Sequence, residues 1–282
     1  MIIIDFNQVA LSNLMMQIGN HTNMQIEENM VRHMILNSIR SYKQKFGSEF
    51  GEIVIACDNT NCWRKKVFPY YKANRKKTIE ASELDWKLIF ECLNKIRSEL
   101  KIFFPYRIID IETAEADDVI GSLVQNYEDL DDPVNKILIL SGDKDFIQLQ
   151  VYDNVQQYDP VRKKWIEHPD PKMFLREHVI RGDFGDGIPN VLSNDNCLVI
   201  GERQKAITKG RLAKLLEGSS DTVISKNIGR NEILIDLSYT PRRIQDEVID
   251  SYKDQDDRDR SKLLNYFISN RLKNLTEHIS EF

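Results

Sequence analysis

Cysteine is scarce and unpatterned in this chain. The 282 residues hold four, Cys57, Cys62, Cys92 and Cys197, with no Cys-x-x-Cys pair and no histidines at zinc-ligand spacing. That excludes a disulfide framework and a zinc ribbon, and reads as reduced thiols in a cytosolic protein. No apolar run approaches the roughly 20 residues of a membrane span, which excludes a membrane protein. Met1 leads straight into the first apolar run, leaving no room for a signal peptide. Internal repeats, low-complexity linkers and coiled-coil stripes are absent too, so a monomer is expected. Net positive charge is also lacking: the formal charge is −5.

Carboxylates are what the chain has, and they are placed. Ile2-Ile3-Ile4 ends in Asp5, and Ile53-Val54-Ile55-Ala56-Cys57 in Asp58. Ile137-Leu138-Ile139-Leu140 leads through Ser141-Gly142 to Asp143 and Asp145, and Tyr106-Arg107-Ile108-Ile109 leads to Glu115, Asp117 and Asp118. Apolar runs of this length read as buried parallel strands, and ligands of open α/β sheets bind beyond their carboxyl ends. Side chains there converge on one crevice. So many anions cannot stay ionised together without cations, which implies a site for hard metal ions. With Asp183 and Asp186 the set is nine. Without it the rest of the chain is net positive, so the acidic total does not exclude a polyanionic partner.

Strands are expected at about Met1–Asp5, Glu52–Asp58, Tyr106–Ile111, Lys136–Leu140 and Val155–Tyr158. Helices alternate with them: one after Asp5, one from about Gln25 to Phe46 closed by Gly47, and one starting near Thr113. This is an α/β pattern with a mostly parallel sheet covered on both faces. After about Pro169 the rhythm becomes helical: about Pro171–Arg181, Gln204–Glu217, Pro241–Tyr252 and Arg258–Ser280. The division expected is 1–168 for the sheet domain and 169–282 for a helical lobe.

Singly, these acids mean little, since an aspartate after a strand is usually a turn or cap residue; Asp110 is read that way. Asp143 and Asp145 point the same way if the segment is extended. Glu115 and Asp118 share a helix face, although acids in a first turn also suit the helix dipole. The segment Trp63 to Lys77 carries seven cations, four aromatics and no acid. Cations fit phosphates and aromatics stack on bases, a pairing suited to single strands; the plainer reading of a charge run is a solvated helix face. A second basic set, Arg203, Lys205, Lys209, Arg211 and Lys214, is expected on one helix. Arg181-Gly182-Asp183-Phe184-Gly185-Asp186-Gly187-Ile188-Pro189-Asn190 reads as an interhelical hairpin whose backbone N–H groups could hold a phosphate.

Asp5, Asp58, Glu115-Ala116-Asp117-Asp118, Gly142-Asp143-Lys144-Asp145 and Gly182-Asp183-x-x-Asp186-Gly-Ile-Pro together resemble the 5′ nuclease superfamily, which includes flap endonucleases and the 5′-nuclease domains of bacterial DNA polymerases. The resemblance is to its phage ribonuclease H branch. It extends through Met30-Val31-Arg32-His33-Met34-Ile35-Leu36-Asn37-Ser38-Ile39, Trp63-Arg64, Tyr70-Tyr71-Lys72-x-Asn74-Arg75, Lys163-Lys164-Trp165 and Leu234-Ile235-Asp236 to the ending from Leu275 to Phe282. The resemblance implies a PIN-like sheet, a helical arch at about 60–90, and a helical lobe with a helix-three-turn-helix that grips duplex DNA. It implies two Mg²⁺ ions, replaceable by Mn²⁺: Asp5, Asp58, Glu115, Asp117 and Asp143 toward the first, and Asp118, Asp145, Asp183 and Asp186 toward the second. Lys72 and Arg75 match the arch cations that reach the scissile phosphate. With Asp143, they are the residues expected to carry the chemistry.

Nucleic-acid contacts are expected at Arg64, Lys65, Lys66, Tyr71, Lys72, Arg75, Lys76, Gly187, Ile188, Arg203, Lys205 and Lys209. The implied activity is 5′ to 3′ phosphodiester hydrolysis on RNA–DNA hybrids, duplex DNA and 5′ flaps. It would remove RNA primers in lagging-strand replication, in the host cytoplasm if the gene is a phage's. A single-strand DNA-binding protein and a sliding clamp are the implied partners. Two departures stand out. The usual hairpin Asp-Asn-Ile-Pro-Gly-Val is here Asp186-Gly187-Ile188-Pro189-Asn190-Val191, and Ser193-Asn194-Asp195-Asn196 replaces a second glycine and a Lys-Thr pair. Two rivals are a haloacid dehalogenase-like phosphatase, which expects an aspartate where Asn7 stands, and a non-catalytic nucleic-acid-binding module.

Overall fold

The computed structural model describes residues 1–18, 27–130, 136–256 and 258–282. The strands are β1 (Ile2–Asp5), β2 (Ile53–Ala56), β3 (Arg107–Ile109), β4 (Ile137–Leu140), β5 (Val155–Asp159) and β6 (Lys164–Ile166). The helices are α1 (Phe6–Ile18), α2 (Glu28–Phe50), α3 (Arg64–Val67), α4 (Asn74–Glu80), α5 (Trp86–Phe103), α6 (Ala116–Gln125), α7 (Pro171–Arg181), α8 (Cys197–Ile200), α9 (Lys209–Glu217), α10 (Thr222–Ile235), α11 (Arg242–Lys253), α12 (Leu263–Ser269) and α13 (Lys273–Thr276).

The sheet order is β3-β2-β1-β4-β5-β6, parallel except for the β5–β6 pair. Alternation explains why the strands read as unbroken apolar runs. Ile2, Ile4, Ile53, Ile55, Leu138 and Leu140 enter one core, while Ile3, Val54, Ala56, Ile137 and Ile139 enter the other. A strand buried on both faces has no polar face to show. Residues of α1, α2, α5 and α12 build the first core with Phe282, and residues of α6 and α11 build the second. The helical C-terminal segment thus contributes to both cores of the sheet. Among the described residues no helix is long and apolar enough to cross a membrane.

Three expectations about elements need correction. Gly47 does not close α2, which runs on to Phe50. Phe46 and Phe50 lie one turn apart and both are buried, so core burial outweighs the cost of about 1 kcal/mol for a helical glycine. The chain turns instead at Gly51, at φ 84°. Gln25, the expected start, lies outside the described residues. The helix expected from Gln204 begins only at Lys209, where Thr208 accepts from Arg211 N at 3.3 Å, so Arg203 and Lys205 are not helical. The stretch expected as one helix from Arg258 to Ser280 is broken, with Arg271 at φ 54° between α12 and α13. Three helices and a strand had no sequence expectation: α5, α8, α10 and the short edge strand β6. Asn227 and Asn231 interrupt the apolar stripe of α10. Both are buried, donating to Val191 O at 2.9 Å and to Val179 O at 2.8 Å.

Candidate metal centre

Register places the carboxyl ends of four strands side by side. Asp5 pairs with Ala56, Ile4 with Leu140, and Ala56 with Ile109. Asp5 is buried and accepts from Gln8 N at 3.1 Å and Ser141 Oγ at 3.3 Å. Asp58 accepts from Asn7 Nδ2 at 2.6 Å and from Ala116 N at 2.7 Å, which ties it to the start of α6. Helix α6 begins just where Glu115 can act as its N-cap, so Asp117 sits in the first turn. Asp143 and Asp145 are not in an extended segment: Asp143 caps a 3₁₀ helix, Lys144–Val151, and accepts from Asp145 N at 3.0 Å.

The nine acids divide by their cations. Glu115 meets Lys72 Nζ at 2.6 Å and Arg64 Nη1 at 3.2 Å. Asp186 meets Arg75 Nη2 at 2.6 Å and Lys72 Nζ at 3.5 Å. Asp183 meets Lys144 Nζ at 2.8 Å, and Asp118 meets Arg64 Nη2 at 2.9 Å. Asp5, Asp58, Asp117, Asp143 and Asp145 have no Lys or Arg ion pair among the described residues; Asp145 faces only the His178 ring, at 3.5 Å. Burial pushes the Asp5 carboxyl up to about 7, with the Asp58 and Asp143 charges adding to it. Burial also drives Asp117 well above the carboxylate range despite Lys72, reinforced by Asp143, Glu115 and Asp5. Asp145 moves the same way, through burial and then Asp143, Asp183 and Asp186. For Glu115 burial works upward, but Lys72 and Arg64 outweigh it and hold the group down at about 2. Burial likewise opposes ionisation of Asp183, but its contacts with His178 and Lys144 keep it below the usual range.

A carboxylate-rich crevice in which several acids are forced toward the neutral form lacks positive charge, and divalent ions with oxygen preference fit it. Asp145 Oδ1 is moreover buried without a hydrogen-bond partner, an orphaned acceptor of the kind an ion satisfies.

Residues 2–179 match the family described as 5′-3′ exonuclease, N-terminal resolvase-like domain, and residues 170–282 match the C-terminal region of T4 RNase H. The chain belongs to the 5′-3′ exonuclease family. Ribonuclease H of Enterobacteria phage T4 is 35% identical, over 99% of this chain and 95% of that protein. The 5′-3′ exonuclease of Buchnera aphidicola is 32% identical, over 56% of this chain and 52% of that protein. In fold, a bacteriophage T5 flap endonuclease solved with DNA and metal ions superimposes with a TM-score of 0.65 at 17% identity, over 90% of this chain and 98% of that one. The PIN-like architecture is therefore that of the 5′ nucleases.

Within this family member several side chains have other places than the sequence suggested. Arg64 is 2% exposed and donates to Leu234 O, Glu115 and Asp118, so it is an internal strut and not a nucleic-acid contact. Asp118 is 0% exposed, and its oxygens accept from Trp63 Nε1, Arg64, Thr240 Oγ1 and Glu115 N. A carboxylate so fully engaged is a strut, not an ion ligand. Of the four aromatics expected to stack on bases, Trp63, Phe68 and Tyr71 are buried and only Tyr70 is exposed. Tyr71 shares its hydroxyl proton between Glu115 at 2.8 Å and Asp186 at 2.9 Å. The aromatics answer the need to pack a cation-rich loop against the sheet, which composition alone does not distinguish from stacking.

The hairpin does not offer free N–H groups at the expected places. Gly187 N donates to Phe184 O at 3.2 Å and Ile188 N to Asp183 O at 2.7 Å, and Ile188 is buried. The loop closes on itself at Gly182, φ 68°, where a Cβ would stand 2.4 Å from Ile188 O. Asn190, at the departure from the usual motif, donates to Lys205 O at 2.9 Å and so fixes the chain that carries Lys205. Lys65, Lys66, Arg203, Lys205 and Lys209 are exposed, Arg75 is half exposed, and the side chain of Lys76 lies outside the described residues.

Sequence reasoning also missed the polar side chains that hold the acids. Gln8 accepts from Gly142 N at 2.6 Å, Gln157 donates to Asp143 O at 2.6 Å, and Gln148 donates to Asp145 O at 2.7 Å. His178, 3.1 Å from Asp183, is the other omission. Its one sequence signal was an imidazole five residues before Asp183, on a helix otherwise read as plain.

Proposed function

We propose that the protein is a divalent-metal-dependent 5′ to 3′ nuclease using two Mg²⁺ ions, with Mn²⁺ able to substitute. Its substrates would be RNA–DNA hybrids, duplex DNA and 5′ flaps, and its task the removal of RNA primers in lagging-strand replication. The observation that carries the reading is the division above: five carboxylates without a Lys or Arg partner lie beside a segment whose Lys72 and Arg75 touch the same site. Bound divalent ions supply an activated water and stabilise the leaving oxygen. Asp5, Asp58, Glu115, Asp117 and Asp143 would hold one ion, and Asp145, Asp183 and Asp186 the other.

Lys72 and Arg75 would exchange their carboxylate partners for the scissile phosphate and neutralise the charge it gains. Lys72 is positioned for this by its backbone, at φ 56°, with its N–H donating to Asp186 O at 2.7 Å. Residues 1–168 would supply the chemistry together with Asp183 and Asp186 of the segment that follows. The segment from α7 to α9, with exposed Lys205 and Lys209, would track a duplex backbone in the manner of a helix-three-turn-helix. Asn7 argues against the phosphatase alternative, because its amide is used to hold Asp58.

The test mixes the protein with a 5′-labelled RNA–DNA hybrid and a 5′-flap DNA, with Mg²⁺ or EDTA. Short 5′ products that need Mg²⁺ are expected, and Asp143→Asn is expected to abolish them while DNA binding stays measurable. Binding without cleavage across divalent ions would leave the binding-module alternative.

A further inference from the structure

Resting on the metal reading above, the ring of His178 admits a more specific assignment. His178 lies on α7, 6% exposed, with Phe174 against its ring at 5.7 Å. Its Nε2 is 3.1 Å from Asp183 Oδ2, which also takes Lys144 Nζ at 2.8 Å. Its Nδ1 faces Asp145 Oδ1 at 3.5 Å, and neither atom has a hydrogen-bond partner although both are buried. With Nε2 placed on the Asp183 carboxylate, Nδ1 is the ring atom aimed at Asp145. Two buried polar atoms facing each other with no hydrogen bond made by either leave both unsatisfied, and a cation between them would satisfy both. A metal-bound imidazole nearly always gives its other N–H to a carboxylate, which fixes the tautomer and the ring plane. Asp183 occupies that place.

We propose that His178 Nδ1 and Asp145 Oδ1 are paired ligands of the ion assigned above to Asp145, Asp183 and Asp186, with Asp183 acting through Oδ2 to orient the ring. An imidazole among carboxylates makes this ion position a mixed nitrogen–oxygen site. Such a site favours Mn²⁺, Co²⁺ or Zn²⁺ over Mg²⁺ relative to an all-carboxylate crevice.

The experiment is spin-echo EPR of Mn²⁺ bound to the untagged full chain, without substrate, repeated on protein carrying ¹⁵N-histidine. Echo modulation from a directly bound imidazole nitrogen is expected, changing with the isotope and lost in His178→Gln. Direct titration of that variant should show Mn²⁺ affinity at one site reduced about 10-fold or more, with a smaller loss for Mg²⁺. The wild-type spectra keep the test decisive should the variant fold poorly. Stoichiometric Mn²⁺ without nitrogen modulation would overturn the ligand assignment, making the ring an imidazolium bridge between Asp145 and Asp183 while the metal centre stands. No Mn²⁺ binding at all would overturn both.

Discussion

Without metal, the acid crevice should make the folded protein prefer slightly acidic solution, the reverse of ordinary acid denaturation. Asp5 carries the effect most legibly. Its carboxyl is raised from 3.8 to about 7 by burial and by the Asp58 and Asp143 charges. A raised carboxyl means that between those pH values the folded state holds a proton that the unfolded state has released. Stability therefore falls as pH rises through that window. The full effect of a shift this size is about 4 kcal/mol, and Asp117 and Asp145, also raised, act in the same sense. For a chain of this length each kcal/mol moves Tm by about 2–4 °C, so a drop on the order of 10 °C between pH 5 and pH 8 is expected in EDTA.

Saturating Mg²⁺ should flatten that slope, because the ions replace the protons. The assay is thermal melting at pH 5, 6, 7 and 8, with EDTA or with Mg²⁺, for wild type and Asp5→Asn. The variant removes one buried charge and should melt higher than wild type in EDTA at pH 8, yet gain less from Mg²⁺. A wild-type melting point in EDTA that is level or rises from pH 5 to 8 would refute the reasoning. So would an unchanged slope in Asp5→Asn.

At lower pH the opposite limb belongs to Glu115, held at about 2 against an ordinary 4.5 by Lys72 and Arg64 in spite of burial. Its contribution is complete above about 4.5 and is lost as pH falls toward 2; melting from pH 5 to pH 2 in Glu115→Gln should show a shallower loss than in wild type. Asp118→Asn should destabilise by about 3–5 kcal/mol, because it leaves buried Arg64 short of a charge partner, while the folded fraction binds Mn²⁺ as wild type does; chemical denaturation and metal titration check the two halves. Gly187→Ala places a Cβ 2.9 Å from Tyr70 O at a backbone φ of +71°. It should push the segment bearing Tyr71 and Lys72 off the site, and lower kcat on a flap substrate by on the order of 10²-fold. An unchanged kcat would show that this segment need not rest on the hairpin.

Legibility in the sequence followed the physics of burial. β1, β2 and β4 could be read because strands buried on both faces are continuous apolar runs, and the acids after them could be read because a strand end is a fixed landmark. α10 was illegible because Asn227 and Asn231 sit on its buried face and satisfy backbone carbonyls there. The Trp63 to Tyr71 stretch was legible as cationic and aromatic but not as inside or outside. Arg64 and Lys65 are adjacent in sequence, one buried and one exposed. Only the position of Asp118 across from Arg64 separates strut from surface cation, and that pairing spans 54 residues of sequence.

The same pairing explains how so acidic a crevice can fold before any ion arrives. Were all nine carboxylates to meet without cations, mutual repulsion in a buried site would oppose assembly. The chain avoids this by neutralising part of the set from within: Arg64 serves Asp118 and Glu115, Lys72 and Arg75 serve Asp186, and Lys144 serves Asp183. Protons can cover Asp5, Asp117 and Asp145, whose raised affinity for them is the measure of what is missing. Ions entering the crevice then displace protons, not internal salt bridges, at these three acids. At Glu115 and Asp186 they compete with Lys72, and a cation released there is one that a phosphate can take up. If the proposed ligands hold, metal binding and substrate capture would be coupled through one lysine that cannot serve both partners at once.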